Sequence, residues 1–188
     1  MRYSPEIIRC SGYYTQYCGI FPLLDAYDCG IGEAVGLRLQ SCELKFPESS
    51  LLLQSFQNGI PVTVHVAFGT DTIHNHPLTN GASVGKGSEI DFRIFTEEVS
   101  RLHEGGVFIN VGSAVLLPEV FLKAVSAVRN SGRELSGFTT ANFDFFQHYR
   151  PARNILGRPV EGHGRGFAIT GHHELMIPLL AAILLNQI

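Results

Sequence analysis

The sequence predicts an α/β fold built on a parallel sheet with helices on both faces. Two observations carry that prediction. Short β-branched apolar runs lack polar alternation, as strands buried on both faces do. Helical stretches stand between them and supply the crossovers that parallel neighbours require. A third observation sets the scale: 188 residues, 45% of them hydrophobic, can bury a core that folds without staples.

Residues 1–29 hold several tyrosines and cysteines in no steady period and read as an irregular N-terminal segment, with the α/β domain expected over 30–188. Glu33 to Leu39 and Ser50 to Phe56 read as helices, the second closed by Asn58-Gly59 as a left-handed cap closes one. Pro61 to Phe68 is β-branched and nearly continuous in apolar character, which predicts the first strand. The stretch from Gly69 to Gly87, rich in Gly, Asn, Thr and His, is longer than a loop that has no task, so a site is expected there. Ser88 is the expected cap of a helix reaching His103, with Ile90, Phe92, Ile94, Phe95, Val99 and Leu102 on its apolar face.

Gly105-Gly106 breaks the chain ahead of the second strand, Val107 to Val111, and Gly112-Ser113 turns toward a helix containing Pro118 to Asn130, stopped by Ser131-Gly132. Phe138 to Asp144 makes a third strand and Gly166 to Thr170 a fourth, before a last helix from His173 to Asn186.

Composition narrows the partners. A net charge of -3 with only three lysines gives no field to gather nucleic acid or anionic lipid. The polar start Met1 to Pro5 lacks a secretory leader's apolar core, and Leu175 to Leu185 is too short to span a bilayer, so a cytoplasmic protein is expected. The four cysteines, Cys10, Cys18, Cys29 and Cys42, form no C-x-x-C pair and are expected to be free thiols.

In an open parallel sheet, ligands settle outside the carboxyl ends of the strands, where loops and helix starts converge. The residues that follow the four predicted strands are Thr70, Asp71, His74, Asn75 and His76; Asn110, Gly112 and Ser113; Asn142, Asp144, Gln147 and His148; and Thr170, Gly171, His172, His173 and Glu174. Of these, Gly112 and Ser113 let backbone amides approach a phosphate or ribose, although Glu119 near the start of the helix that follows would repel a phosphate. Asp71 can accept ribose hydroxyls, or join His74, His76 and His172 around a divalent metal; loop and helix-cap histidines are the plainer alternative. Arg150, Arg153, Arg158 and Arg165 form a basic stretch, in which Arg150 lies nearest a strand end and could clamp a substrate anion. His172 and His148 are the acid–base candidates, because imidazole titrates near neutral pH.

The order of these residues resembles the NAD-binding, Rossmann-like fold of deoxyhypusine synthase from about Leu51 to Leu185. Asn58-Gly59-Ile60-Pro61-Val62, Thr70-Asp71, Val107 to Ser113 with Leu117-Pro118, Thr139-Thr140-Ala141, Phe143-Asp144 and Ile177-Pro178-Leu179-Leu180-Ala181 are each similar to that family's segments in the same order. The resemblance implies a nucleotide (NAD-type) pocket lined by Thr70, Asp71, Gly112, Ser113, Thr140 and Asp144, with His74, His76, Arg150 and His173 on the substrate side, in a homo-oligomer. The family's chemistry is not matched. Glu119-Val120-Phe121 stands where the family has Lys-His-His, Arg150 to Gly166 contains no lysine, His172-His173 replaces an Asp-Ala pair, and no glycine-rich segment is visible before Leu51. Deoxyhypusine formation is therefore not expected. The alternatives are a metal-dependent hydrolase using the His/Asp cluster and a non-catalytic remnant serving assembly or regulation.

Overall fold

A computed structural model of the chain describes residues 20–186, with the side chain of Phe21 left out, and shows an α/β protein with seven helices and one three-stranded parallel sheet among those residues. They fall into two compact units that divide at Ile94 and Phe95. Residues 1–19 of the segment expected to be irregular lie outside the described residues, and its remainder contains a helix, α1 (Phe21–Tyr27).

The first unit contains α1, α2 (Ile31–Gln40), α3 (Leu51–Gln57) and most of α4 (Gly81–Ser100). Its core joins Ile20, Leu24, Cys29, Ile31, Ala34 and Val84, with Val64 and Val66 packed against it. Ser50 caps α3 by accepting from the Leu53 amide at 3.3 Å, and Gly59 leaves the helix at φ +67°, the left-handed geometry expected of it. Cys29 and Cys42 are free thiols; Cys29 is buried, which pushes its thiol up from its ordinary value.

Two expectations are corrected in this unit. The run Pro61 to Phe68 belongs to no sheet. Its backbone instead lies along α4: the Val64 amide donates to Asp91 Oδ2 at 2.9 Å and the Val66 amide to Ser88 Oγ at 3.3 Å. Ser88 is thus not a cap. The helix begins at Gly81, where Asn80 Oδ1 accepts from the Ala82 amide at 3.0 Å. Its early glycines read as loop in sequence, but a Cβ at Gly87 would meet Ile31 and Leu24 at 2.9 Å, so close packing accounts for that residue.

Asp91, wholly buried, is the joint of the unit. Oδ2 accepts from the Gly32 amide at 3.1 Å as well as from Val64, so one carboxylate caps the amino end of α2 and pins the extended segment. Gly30, the N-cap of α2, offers no side chain of its own, and a Cβ there would run into the carboxylate.

The second unit carries β1 (Val107–Val111), α5 (Leu116–Asn130), β2 (Thr139–Asp144), α6 (Tyr149–Asn154), β3 (Arg165–Thr170) and α7 (His173–Leu185). The strands lie in the order β1-β2-β3, with Ile109 opposite Ala141 and Ala141 opposite Phe167. On one face Phe108 stacks on Phe121 of α5 with centroids 3.7 Å apart, and Phe121 meets Phe138 edge-on. The Arg129 guanidinium closes the far end of α5 by donating to the carbonyls of Leu135 and Pro159 at 2.7–3.3 Å. Among the described residues no helix is long and apolar enough to cross a membrane.

Burial pushes the Asp91 carboxyl above its ordinary value of 3.8, against the pull of the amides it accepts. A carboxyl raised in the folded state contributes fully below its unfolded value and loses that contribution as pH climbs through the raised folded value. Asp91→Ala, which strands two buried amides, is expected to cost about 2–4 kcal/mol. Asp91→Asn keeps both acceptor bonds, and its stability deficit should shrink as pH rises from 4 to 7. Urea melts of the three proteins across that range check both expectations; parallel profiles for wild type and Asp91→Asn would refute the linkage.

Candidate functional site

Parallel pairing brings the carboxyl ends of β1, β2 and β3 together, because Val111 pairs with Phe143, Phe143 with Ile169 and Asp144 with Thr170. The turns leaving them are tied crosswise. The Gly112 amide donates to the Phe143 carbonyl at 3.0 Å and the Gly171 amide to the Asp144 carbonyl at 3.2 Å.

Beneath this rim runs a chain of side-chain amides. Asn110 Nδ2 donates to the Ser113 carbonyl at 2.9 Å and to Asn142 Oδ1 at 2.6 Å. Asn142 Nδ2 donates to Gln147 Oε1 at 2.7 Å, and Gln147 Nε2 reaches the Ile169 carbonyl at 3.3 Å and Thr170 Oγ1 at 3.2 Å. Asn110 and Asn142 are buried, so the bond between them forms where an unpaired amide would be costly, while the chain reaches the surface at Gln147 and Thr170. The chain links all three strands to the turns that follow them. Sequence reasoning placed these residues after strands without joining them; the available signal is the register, which sets Asn110 opposite Asn142 on one face.

Six of the expected site residues occupy this rim: Gly112, Ser113, Asp144, His148, His172 and His173. Gly112 sits at φ +65°, and a Cβ there would stand 3.0 Å from the His173 ring, so glycine is required twice over. His173 Nε2 lies 3.1 Å from the Phe143 carbonyl, which orients its ring. Asp144 is half-buried and accepts from the Phe146 amide at 3.4 Å. His172 lies against Phe145 with ring centroids 4.9 Å apart, and His148 against Phe146 at 5.1 Å, so both imidazoles border an exposed aromatic pair.

Helix starts at the rim are poor anion cradles. Ser113 Oγ already accepts from the Leu117 amide at 3.2 Å, Pro118 has no amide hydrogen, and Glu119 lies in the first turn of α5. Glu174 takes the same place in α7.

Two expected residues lie away from the rim. Thr140 is fully buried and its hydroxyl donates to the Ile155 carbonyl at 2.9 Å, so it holds the sheet to the α6 end and presents nothing to a ligand. Arg150 lies 3.5 Å from Glu119 Oε1, the oxygen that also accepts from Asn154 at 2.8 Å, which joins α6 to α5. Two more of the basic stretch differ: Arg153 and Arg158 line a cavity of about 560 Å³ with Glu161 and Gly164, toward the start of β3, and among the described residues neither makes an ion pair.

Thr70, Asp71, His74 and His76 belong to the first unit, where Thr70 Oγ1, Asp71 Oδ1 and the Nδ1 atoms of both histidines bond within the loop, while His74 Nε2 is buried without a hydrogen-bond partner among the described residues. Asp71 caps the helical turn Thr72–Asn75 by accepting from the Ile73 amide at 3.3 Å. His74 Nδ1 accepts from the Gly69 and Asp71 amides at 2.9 and 3.2 Å while its ring stacks on Phe68 at 4.5 Å, and His76 Nδ1 accepts from Leu78. Thr70 donates to the Ala67 carbonyl. Among the described residues, no three of the His, Cys, Asp and Glu side chains converge so as to hold a metal ion. No protein-family model, curated protein or solved structure matches the chain.

Asn142→Ala removes the partner shared by Asn110 and Gln147 and is expected to cost about 2–4 kcal/mol in urea melts. Gln147→Ala alone should cost about 1 kcal/mol, and the two losses should be non-additive in a double-mutant cycle. A cost below about 0.5 kcal/mol for Asn142→Ala would show that the chain is not sealed from water.

Proposed function

We propose that this chain is a small-molecule-binding α/β protein of Rossmann-like build, resembling deoxyhypusine synthase, whose carboxyl rim takes a nucleotide of the NAD type. The amide chain through Asn110, Asn142 and Gln147 carries the reading, because it spends buried polar groups on fixing three strand ends as one surface. Asp144 at the end of the middle strand is suited to accept ribose hydroxyls, and exposed Phe145 and Phe146 offer ring faces for a base.

The fit is to the nucleoside part of such a ligand. With one α5 amide taken by Ser113, another absent at Pro118, and Glu119 and Glu174 in the first turns, a diphosphate gains little from either helix start. NAD, whose nicotinamide ring is cationic, is therefore the preferred member of its class. His172 and His148 flank the aromatic pair and are the acid–base candidates, while His173 holds position through the Phe143 carbonyl. The reading places the protein in the cytoplasm and does not extend to deoxyhypusine formation, for which the chain lacks the lysine.

Isothermal titration of the folded protein with NAD, NADH, AMP and ADP-ribose tests it. NAD is expected to bind saturably and more tightly than ADP-ribose, and Asp144→Ala and His172→Ala should each weaken it about tenfold, or roughly 1.4 kcal/mol, with the thermal midpoint unchanged. Failure of all four ligands to bind would remove the proposal.

A further inference from the structure

The cavity of about 560 Å³ at the start of β3 takes no part in the rim. Gly166 lines it, and Thr170 ends the same strand four residues on, about 13 Å along an extended chain. Its shape follows from the turn that leaves α6. The Arg158 amide donates to the Arg153 carbonyl at 2.9 Å, which folds the chain back on the helix end and puts both side chains on one cavity. Part of the wall is bare backbone, because a Cβ at Gly164 would run into the Phe138 carbonyl and one at Gly166 into that of Leu156.

Two guanidinium groups share this cavity without a counter-ion. Arg93, Arg101, Arg133 and Arg150 lie 2.6–3.5 Å from glutamate oxygens, but among the described residues Arg153 and Arg158 have no acidic partner within 4.0 Å, although Glu161 lines the same cavity. Arg158 is held all the same. Its Nη1 donates to Asn154 Oδ1 at 3.2 Å, and buried Asn154 donates in turn to Glu119 Oε1 at 2.8 Å. A guanidinium that met only solvent would need no such support, and the remaining donors of Arg158, with all those of Arg153, meet no acceptor among the described residues.

We propose that this cavity binds a phosphate monoester of a hydroxylated small molecule, in chemical class a sugar phosphate, with the phosphate on Arg153 and Arg158. Charge is the first reason: a phosphate monoester carries about −1.5 to −2 near pH 7, which two forked cations match and a single carboxylate does not. Glu161 is the second. An ionised carboxylate only accepts hydrogen bonds, so it suits a hydroxyl of the ligand and repels the phosphate, which sets the ligand's direction in the cavity. Volume is the third, since about 560 Å³ lies within the range of small-molecule pockets and exceeds what a bare phosphate fills. A nucleic acid backbone is disfavoured, because a net charge of -3 gives no field to gather one. The site uses no residue of the rim and is independent of the nucleotide reading.

Isothermal titration of the full chain with ribose 5-phosphate, inorganic phosphate and ribose, in a phosphate-free buffer of low salt, tests the proposal. Ribose 5-phosphate is expected to bind saturably and at least about tenfold more tightly than either of the others. Arg153→Ala and Arg158→Ala should each weaken it about tenfold or more, and Glu161→Ala should bring it to within about threefold of inorganic phosphate. Arg93→Ala, which removes an equal charge from the first unit, should change nothing. Because Arg158→Ala strips a partner from buried Asn154, Arg153→Ala, whose side chain bonds to no described residue, decides the matter should the former fold poorly. No saturable binding of ribose 5-phosphate, equal binding of ribose or of inorganic phosphate, a preference that survives Glu161→Ala, binding unmoved by Arg153→Ala, or an equal loss in Arg93→Ala would each overturn it.

Discussion

A parallel sheet imposes a constraint that governs the second unit: its strands need crossover helices, and its two faces need cover, because both bear apolar side chains. Here one face is closed by α5, where Phe121 stacks on Phe108 and reaches Phe138. That single aromatic stack fixes how α5 lies on the sheet, and with it where α5 begins. Since α5 begins four residues beyond Gly112, the same contact sets one border of the rim. The other face is served by α7 chiefly through β2, which leaves the Val107, Ile109 and Val111 side chains of β1 and most of the helix exposed. The asymmetry between the faces is thus one fact with two consequences, a formed rim at the strand ends and an unsatisfied apolar surface alongside.

In the first unit a carboxylate does what a ladder of backbone bonds was expected to do. The β-branched run from Val62 to Val66 pairs with no strand, and its Val64 and Val66 amides go to Asp91 and Ser88 on α4. A buried carboxylate is a costly substitute for a neighbouring strand, and the raised Asp91 carboxyl is the mark of that cost. Bonds to the Gly32 amide and the positive end of α2 offset it.

Most of the secondary structure could be read from the sequence because its signals are local. Ser50, Gly59 and Gly132 mark helix ends whichever fold they sit in, and the runs over β1, β2 and β3 are apolar enough to need a sheet. What could not be read depends on partners far along the chain. Asp91 lies between Ile90 and Phe92, where the helical pattern gives it a solvent-facing role, and only the arrival of Gly32 and Val64 makes it a cap. The start of α4 was hidden by Gly81, Gly85 and Gly87, whose propensity says loop while Asn80 and the packing against Leu24 say helix. Thr140 enters the expected pocket only through the family resemblance of Thr139-Thr140-Ala141, and its hydroxyl is taken by the Ile155 carbonyl, fifteen residues away. Gly112, Ser113, Asp144, His172 and His173 were found as candidates since the rule that places them, polar residues just after parallel strands, needs only strand boundaries.

The electrostatics of the rim bear on the nucleotide proposed for it. A parallel sheet normally offers an anion the free amides of the helices that start at its carboxyl edge. In this chain both such helices carry a glutamate in the first turn, and in α5 Ser113 and Pro118 have removed donors. The Arg150 guanidinium offsets Glu119 at 3.5 Å, but that pairing holds it toward α5. The groups that remain are a carboxylate, two exposed imidazoles and two exposed phenyl rings, which suit hydroxyls, a flat ring and positive charge better than phosphate. If the rim takes the nucleotide proposed for it, binding strength would come from the sugar and the ring, and a ligand that presents its charge as phosphate alone would have the least to gain.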